Sequence, residues 1–112
     1  MIGLGSMGQN HARILADTGH LAGVSDVVAG IARDVGRRYS VEHFTDYREM
    51  LKGSVDAVVV VTPTQTHEKI AKAALGTGKH VLLEKPMTGS PQKLRSLSVL
   101  SEREGLVLAG GF

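Results

Sequence analysis

Gly3-Leu4-Gly5-Ser6-Met7-Gly8 spells G-x-G-x-x-G between two patterns of different period. Met1-Ile2 before it reads as the end of a buried strand. Met7, His11, Ile14 and Leu15 after it have helical spacing until Gly19 closes the pattern. A strand that passes through this hexamer into a helix has the form of a loop that cradles a pyrophosphate. Gly3 permits the tight turn, Gly5 lets backbone approach phosphate oxygens, and Gly8 lets the helix lie against the strand. The helix N-terminus, from Ser6 and Met7 onward, turns free N–H groups and a positive dipole end toward an anion. In a chain with fourteen glycines the hexamer takes its weight from the rest of the sequence.

Beyond Gly19 the chain alternates between strand and helix, which predicts an α/β fold on a parallel sheet. Residues 21–25 form a short apolar run ending at Asp26. Val28, Ile31, Ala32, Val35 and Tyr39 then mark one face of a helix. Residues 41–45 supply a short strand, and Asp46 with Glu49 opens a brief helix through Met50 and Leu51. Residues 55–61 are a continuous apolar run, expected to be buried on both faces. Thr64 is the expected cap of the next helix, whose inward face carries His67, Ile70, Ala71, Ala74 and Leu75. Residues 80–83 are a strand ending at Glu84-Lys85-Pro86. Ser90-Pro91 opens a helix bearing Leu94, Leu97 and Leu100, and residues 106–109 close the series. Six strands with right-handed crossovers predict a doubly wound, Rossmann-type sheet in the order 3-2-1-4-5-6, with ligands at the carboxyl ends of the strands.

With 112 residues the chain is expected to make one domain, residues 1–112. The formal net charge is +2, with two tyrosines, two phenylalanines and no tryptophan, so no basic stripe with stacking platforms points to nucleic acid. Absence of cysteine removes thiolate nucleophiles, disulfides and cysteine-ligated zinc together. It fits a reducing compartment, and the expected location is cytoplasmic. No apolar run has membrane-spanning length, no signal peptide is expected, and no metal set stands out. Only Met1 and Ile2 precede Gly3, so the first strand is expected to be short or to have lost its first residues.

Three chemically interesting groups fall at predicted strand ends beside the glycine loop. Asp26 lies about twenty positions after the first glycine, the spacing of the acid that accepts hydrogen bonds from an adenosine ribose. Its carboxylate repels a 2′-phosphate, and Val27-Val28 adds no arginine, so NAD is expected over NADP. Arg33, Arg37 and Arg38 belong to the solvated side of the following helix. Thr62-Pro63 comes after the buried fourth strand, with His67 in the first turn of the helix beyond, on its apolar side. Lys85 emerges after the fifth strand between Glu84 and Pro86, where an ammonium can hydrogen-bond a substrate hydroxyl and stabilise charge on its oxygen.

Gly3 to Arg13 (GLGSMGQNHAR), Thr62-Pro63 with His67 downstream, Asp46-Tyr47-Arg48-Glu49-Met50-Leu51, and the run Gly78-Lys79-His80-Val81-Leu82-Leu83-Glu84-Lys85-Pro86 together resemble one family. It is the nucleotide-binding half of the glucose–fructose oxidoreductase, inositol dehydrogenase and rhizopine-catabolism (Gfo/Idh/MocA) family. The resemblance covers essentially the whole chain, and E-K-P is its most specific motif. It implies that Lys85 lies near both nicotinamide and a substrate hydroxyl and is the catalytic residue. It also implies that Thr62 and Pro63 line the nicotinamide side. The cofactor-binding set is then Gly3, Gly5, Ser6, Met7, Gly8, Asp26, Thr62, Pro63, His67, Glu84, Lys85 and Pro86. The family pattern implies NAD or NADP and oxidation of a sugar or polyol carbon, with G-S-M-G-x-N-H-A-R similar to members acting on nucleotide-linked amino sugars. Members carry a second, substrate-binding α/β domain that supplies acid–base residues. Nothing in residues 1–112 corresponds to it, so this chain is expected to be a cofactor domain, with self-association arising only alongside the second domain. The alternative is a non-catalytic dinucleotide sensor or partner-binding module. A methyltransferase or flavoprotein leaves E-K-P unexplained.

Overall fold

The computed structural model describes residues 1–110; Gly111 and Phe112, inside the expected domain, lie outside the described residues. The chain divides into two compact units, Met1–Val55 and Asp56–Phe112. Each is parallel α/β.

In the first unit, β1 (Gly23–Ser25) pairs in parallel with β2 (Glu42–Phe44), Val24 opposite His43. Ile2 joins β1 through a single parallel bridge to Ser25. Ser25 N–H donates to the Met1 carbonyl and Gly3 N–H to the Ser25 carbonyl, both at 2.9 Å. The expected first strand is reduced to this bridge because Gly3, at φ +94°, turns the chain out of the ladder. Three helices complete the unit: α1 (Ser6–Asp17), α2 (Ala29–Tyr39) and α3 (Tyr47–Leu51). Asp46 caps α3, accepting from Arg48 N–H at 2.9 Å and from its guanidinium at 3.0 Å. The guanidinium hydrogen bond holds the Asp46 carboxyl below its ordinary value.

α1 corrects the expected face. Met7 and Ile14 are 52% and 46% exposed, whereas Gly8 and Ala12 are buried. A β-carbon at Gly8 would fall on the Gly3 carbonyl oxygen, so the helix seats against the turn through its smallest residue. α2 behaves similarly: Ala32, Val35 and Gly36 are buried, and a β-carbon at Gly36 would meet the His43 side chain at 2.8 Å. Arg33, Arg37 and Arg38 are exposed, as expected.

In the second unit, β3 (Ala57–Val60), β4 (His80–Leu83) and β5 (Leu108–Gly110) form a parallel sheet in the order β3-β4-β5. Val58 stands opposite Val81 and Val60 opposite Leu83, and all four are buried. Val59 is only half-buried and Ala57 exposed, so the apolar run of residues 55–61 is not covered equally on both faces. α4 (His67–Gly76) packs against β3, β4 and α5 (Pro91–Glu104), burying His67, Ile70, Ala71, Ala74 and Leu75, the expected face. Each fully buried Leu or Val contributes about 1.5–3 kcal/mol. Thr64 is not the helix cap. Residues Thr64–Thr66 form a 3₁₀ turn ahead of α4, and Thr64 makes no capping bond. Ser90 does cap α5, accepting from Lys93 N–H, with Pro91 in the first turn. The sequence predicts six strands in one order; the described residues hold five strands in two parallel sheets, plus the Ile2 bridge.

Two glycines test the packing. Gly8→Ala is expected to lower stability by about 1–3 kcal/mol through overpacking. Gly76→Ala, where a β-carbon meets nothing within 4 Å, is expected to raise it by about 0.5–1 kcal/mol. Urea denaturation midpoints of the two variants should therefore move in opposite directions.

Candidate functional site

The glycine loop owes its form to three separate constraints. Gly3 takes the left-handed turn, Gly8 admits no side chain, and Gly5 stands exposed, with nothing within 4 Å of a β-carbon built on it. Gly5 is the N-cap of α1, at φ −67°, with no side chain capping the helix and no acidic residue in its first turn. Ser6 and Met7 are exposed beside it. A helix start free of carboxylates and of competing caps, entered through open space, fits a phosphate anion.

Asp26 comes directly after β1 and is tied to this loop. Its Oδ2 accepts from Leu4 N–H at 2.8 Å and its Oδ1 from Val28 N–H at 2.9 Å. Each carboxylate oxygen has a further lone pair, so both can still accept from ribose hydroxyls. On the other side of Leu4, the Gln9 side-chain amide donates to the Leu4 carbonyl at 2.9 Å. Sequence reasoning missed both ties, because neither Leu4 nor Gln9 carries a motif. Val28, expected on the apolar face of α2, is instead its half-exposed N-cap, and Val27 beside it is 88% exposed. Two adjacent exposed valines at the end of a strand are an apolar rim beside the carboxylate.

The remaining candidates lie in the second unit. Thr66 Oγ donates to the Pro63 carbonyl at 2.6 Å. Its one proton is thereby used, so Thr62 Oγ donates across 2.6 Å to Thr66 and keeps its own lone pairs available. His67 is 1% exposed, with Nδ1 2.9 Å from the Met87 carbonyl and Nε2 2.9 Å from the Thr62 carbonyl. Both ring nitrogens face backbone carbonyls, one in each of the loops past β3 and β4. Glu84 N–H donates to the Val60 carbonyl at 3.0 Å, extending the β3–β4 ladder to the motif. Lys85 and Pro86 are exposed beyond it, joined by a cis peptide bond. Thr62-Pro63 and Glu84-Lys85-Pro86 thus lie just past the carboxyl ends of paired neighbours β3 and β4, where a parallel α/β sheet binds ligands.

A cavity of about 290 Å³ opens beside Thr64, Glu68, Thr88 and Lys93. A larger one of about 440 Å³, beside Lys72, Arg95 and Arg103, includes none of the candidate residues. Among the described residues no three His, Cys, Asp or Glu side chains gather as metal ligands, and no helix is long and apolar enough to cross a membrane.

Parallel α/β units, a glycine loop at a bare helix start and an acid after β1 define a dinucleotide-binding domain of the Rossmann kind. The family model for the oxidoreductase family with NAD-binding Rossmann fold, GFO_IDH_MocA, matches residues 1–112, and the chain belongs to that family. It is 38% identical over 111 residues to a UDP-N-acetylglucosamine 3-dehydrogenase of Acidithiobacillus ferrooxidans, covering 99% of this chain and 35% of that one. The solved structure of that enzyme superposes with a TM-score of 0.92, covering 98% of this chain and 36% of that one. A scyllo-inositol 2-dehydrogenase (NAD(+)) of Bacillus subtilis is 32% identical over 117 residues, covering 100% of this chain and 34% of that one. The structure of a Lactobacillus casei scyllo-inositol dehydrogenase with bound NAD(H) and scyllo-inositol gives a TM-score of 0.90 at 28% identity, covering 98% and 34%. The chain spans about a third of the length of these relatives.

Gly5→Val places bulk in the open space at the helix start. It is expected to lower NAD affinity at least about tenfold, or 1.4 kcal/mol, while shifting stability by no more than about 1 kcal/mol. Calorimetric titration beside thermal unfolding checks both. Unchanged NAD binding would place the phosphates elsewhere.

Proposed function

We propose that this chain is the cofactor-binding part of an NAD-dependent dehydrogenase that passes a hydride between a sugar or polyol hydroxyl and nicotinamide. The observation that carries the proposal is the glycine loop: open at Gly5, bare at the start of α1, and tied through Leu4 to Asp26. The named relatives, which act on an amino sugar nucleotide and on inositols, support the substrate class. Gly3, Gly5, Ser6, Met7 and Gly8 hold the pyrophosphate. Asp26 accepts from the adenosine ribose, and Val27 gives the adenine an apolar edge. Thr62, Pro63, Glu84, Lys85 and Pro86 serve the nicotinamide side.

Bound NAD supplies the hydride acceptor. Lys85 donates a hydrogen bond from Nζ to the substrate hydroxyl, orients it, and stabilises negative charge on its oxygen as the proton leaves. The proton passes to a general base other than His67, whose ring nitrogens are both engaged. Asp26 sets the preference for NAD by repelling a 2′-phosphate.

Two outcomes test this. The wild type is expected to bind NAD at least tenfold more tightly than NADP, with Asp26→Ala weakening NAD about ten- to a hundredfold, the worth of a charged hydrogen bond. Tighter binding of NADP by the wild type, measured by calorimetry, would sink the ribose assignment. In the full-length protein Lys85→Ala is expected to lower kcat by about 10²–10⁴-fold with the NAD Kd little changed. Wild-type turnover in that variant would remove Lys85 from the chemistry.

A further inference from the structure

His67 is the one buried titratable side chain among the described residues, and its two hydrogen-bond partners are of the same kind. The Met87 carbonyl faces Nδ1 and the Thr62 carbonyl faces Nε2, each at 2.9 Å. The ring thus stands between two backbone carbonyls, one on each nitrogen. The carbonyls belong to the two loops beyond β3 and β4: Thr62 opens the Thr62-Pro63 loop, and Met87 comes directly after Glu84-Lys85-Pro86. Met87 is gripped a second time by packing over β5, where a β-carbon at Gly110 would meet its Cγ at 2.6 Å.

We infer that His67 is a positioning residue whose ring, held between the Thr62 and Met87 carbonyls, fixes the spacing between the Thr62-Pro63 loop and the Glu84-Lys85-Pro86 loop. Its effect on ligands rests on the function proposed above; its hydrogen bonding does not. The ring's own polar contacts are the two carbonyls. His67 therefore acts on Lys85 through backbone, holding the peptide just past Pro86, and touches neither cofactor nor substrate.

Titrations on the full-length protein decide this. NAD and ADP-ribose, which lacks the nicotinamide, are titrated into wild type, His67→Phe and His67→Gln. Phe keeps a ring and removes both nitrogens, whereas Gln keeps one amide group. The expected result is an NAD affinity about tenfold weaker in His67→Phe with ADP-ribose unchanged, and partial recovery in His67→Gln. A merely structural role weakens both ligands together, and that result, or no change in either, overturns the inference. If His67→Phe does not fold, His67→Gln carries the comparison. A wild type that binds neither ligand refutes the proposed function; amide hydrogen exchange in residues 62–66 and 84–88, expected to speed up together in His67→Phe, then decides the inference, and exchange unchanged in either loop overturns it.

Discussion

Everything at the cofactor end of the first unit depends on a helix that starts with no room for a side chain. The Gly3 carbonyl occupies the place where a β-carbon of residue 8 would stand, so the turn and the first helical turn touch backbone to backbone. That contact fixes where the N-terminus of α1 lies relative to Ile2 and β1. Leu4, between the two glycines, is held from both sides: its N–H by Asp26 and its carbonyl by Gln9. The loop is set before any ligand arrives, which lowers the ordering cost that binding has to meet.

The second unit reaches a similar end by other means. The loops past β3 and β4 carry hydroxyls and prolines, and their order comes from side-chain bonds to backbone. Thr66 holds Pro63, Thr88 accepts from Ser90 N–H and donates to the Ser90 carbonyl, and His67 spans two loops. Buried polar groups that are fully bonded give a unique arrangement, and half-bonded ones are costly. No buried side-chain nitrogen or oxygen among the described residues lacks a partner.

Much of this was legible from residue order, and the failures share a cause. The buried face of α4 is evident from its spacing, because large apolar residues and His67 fall on one side. α1 misled for the opposite reason. Its packed face is marked by Gly8 and Ala12, small residues that apolar periodicity undervalues, while Met7 and Ile14 face outward. Thr64 looked like a cap because a hydroxyl before a helix usually is one, yet a 3₁₀ turn moved the helix start to His67. At the site, the glycine loop, Asp26 and the E-K-P motif were all visible as types at expected spacings. The bonds that hold them were not. Met87 is twenty residues from His67 and offers only its carbonyl, and backbone carbonyls are the same at every position.

Asp26 also bears on how this domain can change in evolution. One oxygen of its carboxylate anchors the phosphate loop through Leu4. Under the role proposed for Asp26, a lineage drifting toward a phosphorylated cofactor cannot simply discard the acid, since the substitution that removes the repulsion also unfastens the loop. It must first acquire another acceptor for the Leu4 N–H, or accept a period of weak binding to either dinucleotide. On that reading cofactor choice is tied to a mechanical duty, and single substitutions here should reduce affinity far more readily than they reverse preference.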